Sequence, residues 1–332
     1  MAKIAVLGAG TWGTALARTF TLGGNKVTLW SALEREIDYI REHRRHHILK
    51  EMVIPKEMKL TCDIGEAITG KDIVVFAVPS LYVRSTAKSA APFITDNQII
   101  VDVAKGLEAG SYKTLTEVIA DEINNPKIPM IVLSGPTHAE ELALDMPTAI
   151  VAACPDEVAA AYVQKVFSNH ILRVYTNKDI RGIEICGALK NIIALAAGMS
   201  DGLGFGDNAK AAIVTRGMAE IKRLGLKMGC SADTFSSLAG IGDLIVTCTS
   251  RHSRNNRTGF MIAQGVKPED AIKEVGMVVE GINALPAAME LSTHYDVELP
   301  ICSMVNHIIN GTISVSSALR LLMSRELKTE AE

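Results

Sequence analysis

The chain has 332 residues, more than one ordinary domain needs, and its 34 lysines and arginines nearly balance 37 aspartates and glutamates, for a net charge of −3. A hydrophobic fraction of 48% and a charged fraction of 21% are typical of a globular protein with enough apolar residues for two cores. This balance argues against a nucleic-acid-binding surface, and we expect no nucleic-acid partner.

The location of the protein is predicted from its apolar runs and its cysteines. The first predicted strand begins close to the N-terminus, which leaves no room for a signal peptide, and no apolar run approaches membrane-spanning length. No Cys-x-x-Cys pair occurs, so we expect free buried thiols in a reducing compartment. The cysteines are Cys62, Cys154, Cys186, Cys230, Cys248 and Cys302. Together these features predict a cytoplasmic protein without membrane insertion.

The first element is an apolar run over residues 4–7 that leads into Gly8-x-Gly10-x-x-Gly13, followed by apolar residues at helical spacing. This pattern predicts a strand, a tight turn and a helix. In such a turn Gly8 permits the bend, Gly10 leaves room for a pyrophosphate, and Gly13 lets the helix pack closely on the strand. The sequence therefore predicts a dinucleotide-binding fingerprint.

The second strand, residues 26–30, completes a βαβ unit and bears on the choice between NAD and NADP. A carboxylate at its end would bind the ribose hydroxyls of NAD, but the strand runs into Ser31, Ala32 and Leu33. Arg35 follows, either near a 2′-phosphate or on a solvated helix face. Without that acid nothing at this position repels a 2′-phosphate, which favours NADP, and we predict use of both NADP and NAD.

Helical patterns then alternate with short apolar runs at residues 72–79, 98–103, 129–134, 148–153 and 170–175. Such runs predict parallel strands buried on both faces, which gives an α/β fold with an N-terminal doubly wound Rossmann-type sheet. Ligands bind beyond the carboxyl ends of these strands, so residues 78–80, 105–106 and 134–137 should line one crevice. From about residue 179 the pattern is helical, and we predict a dinucleotide-binding domain over residues 1–178 and an all-α C-terminal domain over residues 179–332.

Three charged segments remain to be assigned. The cluster of arginines and histidines over residues 41–47 predicts a solvated helix face, and its adjacent histidines point in different directions, so we predict no metal site. The tail from residue 328 is predicted to be disordered. Lys190 is the single charge in the apolar helical pattern of residues 185–197, where desolvation would bring its pKa toward neutrality, as a general acid requires. Lys105, in the crevice, is a candidate second cation.

A polar, glycine-punctuated segment spans residues 240–257. Arg254, flanked by Ser253 and Asn255, could hold a phosphate through its forked guanidinium, although a solvated loop fits the same composition equally well. The alternatives stay open on this segment alone.

Over nearly its full length the chain resembles the NAD(P)-dependent glycerol-3-phosphate dehydrogenases of bacterial type, through residues 8–15, 105–106, 134–137, 190–191, 239–244 and 253–257. The resemblance implies reduction of dihydroxyacetone phosphate to sn-glycerol 3-phosphate for phospholipid synthesis, by a homodimer. It implies that the catalytic residues are Lys190, Lys105 and Asp243. It implies substrate contacts from Lys105, Gly135, Thr137, Lys190, Asp243, Ser253, Arg254 and Asn255. To the fingerprint glycines it adds cofactor contacts from Thr11, Trp12, Lys105, Ala139, Arg254, Val278 and Glu280.

Two other interpretations fit part of the pattern. A β-hydroxyacid or ketopantoate type of reductase shares the fingerprint and a helical-domain lysine, but the Arg254 cluster and the Gly-x-Gly-Asp-Leu segment argue against a carboxylate substrate. A non-catalytic dinucleotide sensor would bind the cofactor without a reason for Lys190 in its apolar helix.

Overall fold

The computed structural model describes residues 1–327 and 329, so the expectation of a disordered tail at residues 328 and 330–332 lies outside the described residues. The described residues form one eight-stranded sheet in the order β3-β2-β1-β4-β5-β6-β7-β8. Its strands are β1 Lys3–Leu7, β2 Lys26–Trp30, β3 Lys59–Thr61, β4 Ile73–Phe76, β5 Ile99–Asp102, β6 Met130–Ser134, β7 Thr148–Ala153 and β8 Leu172–Asn177.

The doubly wound sheet is confirmed, but the prediction that all its strands are parallel is wrong. Strands β1 to β6 pair in parallel, whereas β7 runs antiparallel to β6 and β8 follows β7 in parallel. The side-chain pattern of a buried strand is the same in either direction, so the sequence could not predict that the chain reverses between β6 and β7, a connection that contains one five-residue helix. Strand β3, three residues long, is an addition that the sequence pattern did not predict.

Helices cover both faces of the sheet, as its apolar strands require. Successive residues of β1 enter opposite cores: Ile4 and Val6 pack on one side, Ala5 and Leu7 on the other. The helices of this half are α1 Thr11–Leu22, α2 Glu34–His43, α3 Ile64–Ile68, α4 Val83–Ala90, α5 Leu115–Ile123, α6 Ala139–Ala143 and α7 Glu157–Phe167.

Beyond β8 the described chain is helical. Asp179 begins this half, because its carboxylate accepts hydrogen bonds from the Gly182 N–H at 2.9 Å and from the Thr234 hydroxyl at 2.7 Å. The helices are α8 Ile180–Gly202, α9 Gly206–Lys227, α10 Asp243–Thr249, α11 Arg254–Ala263, α12 Pro268–Val275, α13 Glu280–His294, α14 Pro300–Ile309 and α15 Val315–Met323.

Helix α8 is the centre of this second half. It has 23 residues and is long and apolar enough to cross a membrane, so the expectation that no apolar run approaches that length is wrong. Its most apolar stretch is 94% buried inside the protein, however, as is usual for the core helix of a globular domain. The expectation of buried thiols is likewise wrong at one position, since Cys62 is exposed while the other five cysteines are buried.

The close approach of α11 to α8 depends on glycine. A Cβ added at Gly198 would lie 1.9 Å from the carbonyl oxygen of Asn256, and one at Gly259 would lie 2.1 Å from that of Leu195. Because these obstacles are backbone atoms, they cannot move without separating the helices. The contact sets the position of the first turn of α11, which carries Arg254.

Gly198→Ala should therefore destabilise the protein by about 1–3 kcal/mol, the usual cost of overpacking a core. Urea unfolding monitored by circular dichroism would measure the change in free energy of unfolding. The matched control is Gly187→Ala in the same helix, where a Cβ would make only ordinary contacts, the nearest at 3.6 Å from Lys105 Cγ. Equal losses in both variants would contradict the packing argument.

Candidate active site and cofactor crevice

A crevice of about 730 Å³ runs from the carboxyl ends of the parallel strands to the helical half. It collects segments that are distant in sequence: the glycine turn, the ends of β2 and β4, Lys105, and the starts of α6, α11 and α13. This is the position at which doubly wound sheets bind their ligands. The predicted site residues that line it are Gly8, Gly10, Thr11, Trp12, Lys105, Thr137, Ala139, Lys190, Ser253, Arg254, Asn255, Val278 and Glu280.

The glycine turn fits a dinucleotide pyrophosphate. Gly8 has φ of +125°, and a Cβ there would lie 2.6 Å from the Ala77 carbonyl oxygen. Gly13 does not line the crevice; it packs against the turn, where a Cβ would lie 2.1 Å from Gly8 O. At Gly10 a Cβ would meet nothing within 4 Å, so this side of the turn is open to the crevice. The uncapped N-terminus of α1 begins at Thr11 and offers its N–H groups to an anion.

Behind the crevice, a fully buried carboxylate joins the two halves of the protein. Asp243 Oδ1 accepts a hydrogen bond from Lys190 Nζ at 2.7 Å, and its Oδ2 accepts one from Lys105 Nζ at 2.8 Å. Lys105 follows β5, whereas Lys190 and Asp243 lie on α8 and α10. One carboxylate therefore orients both lysine heads.

Each lysine keeps one donor for a ligand. Lys190 Nζ also donates to the Thr247 hydroxyl at 2.5 Å, and Lys105 Nζ donates to the Gly135 carbonyl at 3.1 Å. An ammonium has three protons, so two are held by protein and the third is left for the crevice. Thr247, which the sequence analysis missed, lies four residues after Asp243 on one helix face; that spacing was the available signal.

Burial sets the protonation of Lys190. It lowers the pKa of the Lys190 ammonium to about 8, while the Asp243 carboxylate opposes the shift and the Lys105 cation adds to it. A lysine that exchanges its proton near this pH is suited to general acid and base chemistry.

Two of the predicted site residues, Gly135 and Asp243, do not line the crevice and act on it only through the residues that they hold. Gly135 is buried, and its carbonyl oxygen accepts hydrogen bonds from Lys105 Nζ and, at 3.1 Å, from the Thr137 hydroxyl. Asp243 has no exposed surface. His138 lines the crevice between Thr137 and Ala139, and burial, followed by the nearby Lys190 cation, lowers the pKa of its imidazole.

Arg254 and Asn255, which the sequence analysis placed together in a phosphate site, have different surroundings in the structure. Arg254 is the first residue of α11 and donates from Nη1 to the Val278 carbonyl at 2.9 Å, which holds its guanidinium in the crevice. Asn255 instead uses its amide within the protein: Nδ2 donates to Asn191 Oδ1 at 3.0 Å, and Oδ1 accepts from the Gly281 N–H at 2.9 Å. Arg254 is thus the better placed of the two to meet an anion.

Glu280 makes a second connection across the crevice. Its carboxylate accepts hydrogen bonds from the Ser80 N–H at 3.1 Å and the Ser80 hydroxyl at 2.5 Å, beyond the end of β4. A Cβ at Gly106 would lie 2.6 Å from Ser80 Cβ, so only glycine fits beside this contact.

The prediction of a solvated helix face over residues 41–47 is wrong in its second half. Helix α2 ends at His43, and Arg44 adopts a left-handed conformation with φ of 50°. The chain then turns inward, so that His46 is buried and both it and His47 line the crevice. No cluster of three metal-binding side chains occurs among the described residues.

A buried carboxyl pair was not predicted either. Glu184 of α8 accepts hydrogen bonds from the Thr116 N–H at 2.8 Å and the Thr116 hydroxyl at 2.6 Å, joining α8 to α5. Burial raises the pKa of Glu184 to about 7, and burial together with Glu184 raises the pKa of Asp102 well above its usual range. No local sequence pattern brings these two groups together.

A doubly wound sheet with a glycine turn, joined to a helical domain that carries a buried lysine into the crevice, defines a two-domain nicotinamide-dependent dehydrogenase. Sequence models described as the N-terminus and the C-terminus of NAD-dependent glycerol-3-phosphate dehydrogenase match residues 3–160 and 179–320. The chain belongs to this family, which confirms the resemblance found in the sequence.

Individual relatives agree with that assignment. The chain is 58% identical to the NAD(P)+ glycerol-3-phosphate dehydrogenase 2 of Lactobacillus delbrueckii subsp. bulgaricus, with 99% of each chain covered. It is 47% identical to the corresponding enzyme of Bacillus subtilis, covering 100% of this chain and 97% of the relative. The crystal structure of glycerol-3-phosphate dehydrogenase from Coxiella burnetii superposes with a TM-score of 0.93 at 35% identity, covering 98% of this chain and 99% of that one.

Asp243→Asn should destabilise the protein by about 3–5 kcal/mol near pH 7, because it leaves the Lys190 cation buried without its counterion. The variant lowers the pKa of Lys190 further in the folded state, whereas the unfolded chain keeps an ordinary lysine pKa of about 10.4. The parent's Lys190 loses its proton in the folded state near pH 8, so the deficit should shrink as the pH rises to about 8 and stay constant above that, where both stabilities rise together.

Urea unfolding at about pH 7 and about pH 9.5 would measure this deficit. The control is Asp243→Asn combined with Lys190→Met, which removes the buried cation and should recover much of the stability. A single variant as stable as the parent at both pH values would contradict the role of the ion pair.

Proposed function

We propose that this protein catalyses the reversible NAD(P)H-dependent reduction of dihydroxyacetone phosphate to sn-glycerol 3-phosphate. The observation that carries the proposal is the pair of lysine heads held by Asp243 at the crevice, each with a donor left over. Membership of the glycerol-3-phosphate dehydrogenase family supports the identity of the substrate.

The protein's own residues bind the cofactor, orient the substrate and donate a proton to its carbonyl oxygen. The glycine turn and the N-terminus of α1 would hold the dinucleotide, whose nicotinamide, when bound, supplies a hydride to the carbonyl carbon of the substrate. Lys190 then gives its remaining ammonium proton to the carbonyl oxygen, which becomes the C2 hydroxyl of the product. Lys105 places a second N–H near the same oxygen and favours the negative charge that develops there. In the oxidative direction the neutral Lys190 amine takes the proton back.

The remaining contacts follow from the same arrangement. We assign substrate binding to Lys105, Thr137, Lys190, Ser253, Arg254 and Asn255, which line the crevice. We assign Gly135 and Asp243 to the same site indirectly, through the lysines and the Thr137 hydroxyl that they orient. We assign cofactor binding to Gly8, Gly10, Thr11, Trp12, Lys105, Ala139, Arg254, Val278 and Glu280, and to Gly13 through the turn against which it packs. Residues 1–178 would then form the dinucleotide-binding domain and residues 179–332 the substrate and catalytic domain.

The cellular setting is proposed from the same reaction. Its product is the glycerol phosphate backbone of phospholipids, and we propose that the enzyme supplies their synthesis in the cytoplasm. We also propose a homodimer that forms through the helical domain. An apolar groove of about 980 Å³ between α9, α14 and α15, with Leu321 and Met323 exposed, supports that interface.

Lys190→Ala should lower kcat for dihydroxyacetone phosphate reduction about a hundredfold or more, the range expected for a positioned general acid. Binding of NADH and NADPH, followed by the change in their fluorescence, should stay nearly unchanged. In the parent, kcat/KM for reduction should fall as the pH rises through about 8, because the protonated amine is the donor, and kcat/KM for oxidation should rise.

These assays also separate the competing functions. Parent protein that reduces ketopantoate with NAD(P)H, or oxidises hydroxyisobutyrate with NAD(P)+, but does not reduce dihydroxyacetone phosphate would overturn the proposal. Cofactor binding without turnover on any triose phosphate would indicate a sensor. Equal kcat in Lys190→Ala and the parent would reject Lys190 as the proton donor while leaving the reaction itself in place.

Arg254→Lys should lower kcat/KM for dihydroxyacetone phosphate by about 2 kcal/mol, roughly thirtyfold, with KM rising. An ammonium cannot hold the Val278 carbonyl and a phosphate in the fork geometry of a guanidinium. The control is Arg257→Lys in the same helix, an exposed position outside the crevice, which should behave like the parent. A near-parental value for Arg254→Lys would mean that the phosphate is bound elsewhere.

A further inference from the structure

The first turn of α2 lies at the end of β2, where it forms one wall of the cofactor crevice. The chain leaves the strand through Ser31, Ala32 and Leu33, and all three residues line the crevice. Arg35 and Glu36 of the helix line it as well. This is the end of the strand at which doubly wound dehydrogenases bind the ribose of the adenosine half of the dinucleotide.

The Glu36 carboxylate is fixed at this position. The Ser31 hydroxyl donates to Glu36 Oε2 at 2.6 Å and accepts from the Leu33 N–H at 3.1 Å, so strand end and helix are tied together. Among the described residues Glu36 Oε1 has no hydrogen-bond partner, and Glu36 forms no ion pair. The residues directly after β2 include no acid, but the following helix places the Glu36 carboxylate at the same position.

Arg35 places the opposite charge beside it. Its side chain is exposed and, within the part of the chain that the structure describes, forms neither a hydrogen bond nor an ion pair. Arg44 and Arg45, which follow α2, do not line the crevice, and the Arg45 guanidinium donates to the Lys50 carbonyl at 2.5 Å. Arg35 is thus the guanidinium that this wall offers to a phosphate.

The two charges prefer different cofactors. A carboxylate accepts hydrogen bonds from the two ribose hydroxyls of NAD and repels a 2′-phosphate, whereas a guanidinium binds that phosphate through its fork. Their effects on the free energy of binding oppose each other, which favours neither cofactor strongly.

We propose that Glu36 and Arg35 read the adenosine ribose with opposite preferences, Glu36 for the 2′-hydroxyl of NAD and Arg35 for the 2′-phosphate of NADP. This inference deepens the proposed function, since it rests on the same crevice binding the dinucleotide. Use of both cofactors then results from two neighbouring charges with opposite preferences. Removal of Glu36's charge should favour NADP, and removal of Arg35's charge should favour NAD.

The test compares Glu36→Gln and Arg35→Gln with the parent. Calorimetry gives the dissociation constants of NAD+ and NADP+, and steady-state kinetics gives kcat/KM with NADH and NADPH. Glutamine at position 36 can still accept the Ser31 hydrogen bond, so only the charge is removed. Glu36→Gln should shift the affinity ratio about tenfold or more toward NADP+, and Arg35→Gln should shift it about as far toward NAD+.

The matched control is Glu34→Gln, the same change of charge in the same helical turn at an exposed residue that does not line the crevice. Its affinity ratio should stay within about twofold of the parent's. Equal shifts in Glu34→Gln and Glu36→Gln would show an effect of net charge alone and overturn the assignment of Glu36. Unchanged ratios in Glu36→Gln and Arg35→Gln would overturn the inference altogether.

The binding measurement needs no turnover, which separates this inference from the proposed reaction. Shifted dissociation constants in a parent that does not reduce dihydroxyacetone phosphate would support the ribose assignment and overturn the reaction. An active parent whose variants bind NAD+ and NADP+ in the parental ratio would support the reaction and overturn the ribose assignment.

Discussion

The arrangement depends first on the buried carboxylate of Asp243, which lies between two lysines from different halves of the chain. A carboxylate without exposed surface is tolerated only where cations compensate it, and Lys190 and Lys105 both do so. The pairing in turn keeps the pKa of Lys190 from falling as far as burial alone would carry it. The Asp243 carboxylate therefore has two effects: it joins the two halves of the protein, and it raises the pKa of Lys190, the candidate general acid, above the value that burial alone would give.

Other carboxylates also connect the two halves of the protein. Several carboxylates of the helical half accept hydrogen bonds from the sheet half, among them Asp243 from Lys105, Glu280 from Ser80, and Glu184 from Thr116. Each contact lies beyond a strand or at the start of a helix, where backbone N–H groups and side chains are unpaired by the sheet. Together they join the helical half to the sheet half.

The crevice wall at the adenosine end shows where reading the chain residue by residue fails. The strand end lacks an acid, but Glu36 lies five residues beyond Ser31 and one turn of helix returns its carboxylate to that hydroxyl. The basic segment after α2 was assigned to solvent on its composition, yet His46 is buried because the chain reverses at Arg44. In both places the sequence shows which residue can carry a charge but not where its side chain lies in the fold.

The sequence by itself determined the strand, turn and helix around Gly8, Gly10 and Gly13, the doubly wound class of the sheet, and the change to helices from about residue 179. These are local properties, set by side-chain periodicity and by the backbone freedom of glycine over a few residues. Only the tertiary structure decided that β7 runs antiparallel to β6, that Thr247 and Asp243 hold Lys190, and that Glu36 faces the crevice. Those features join residues that are far apart in the chain or depend on how a connection turns, and such pairings follow from packing, which no local pattern records.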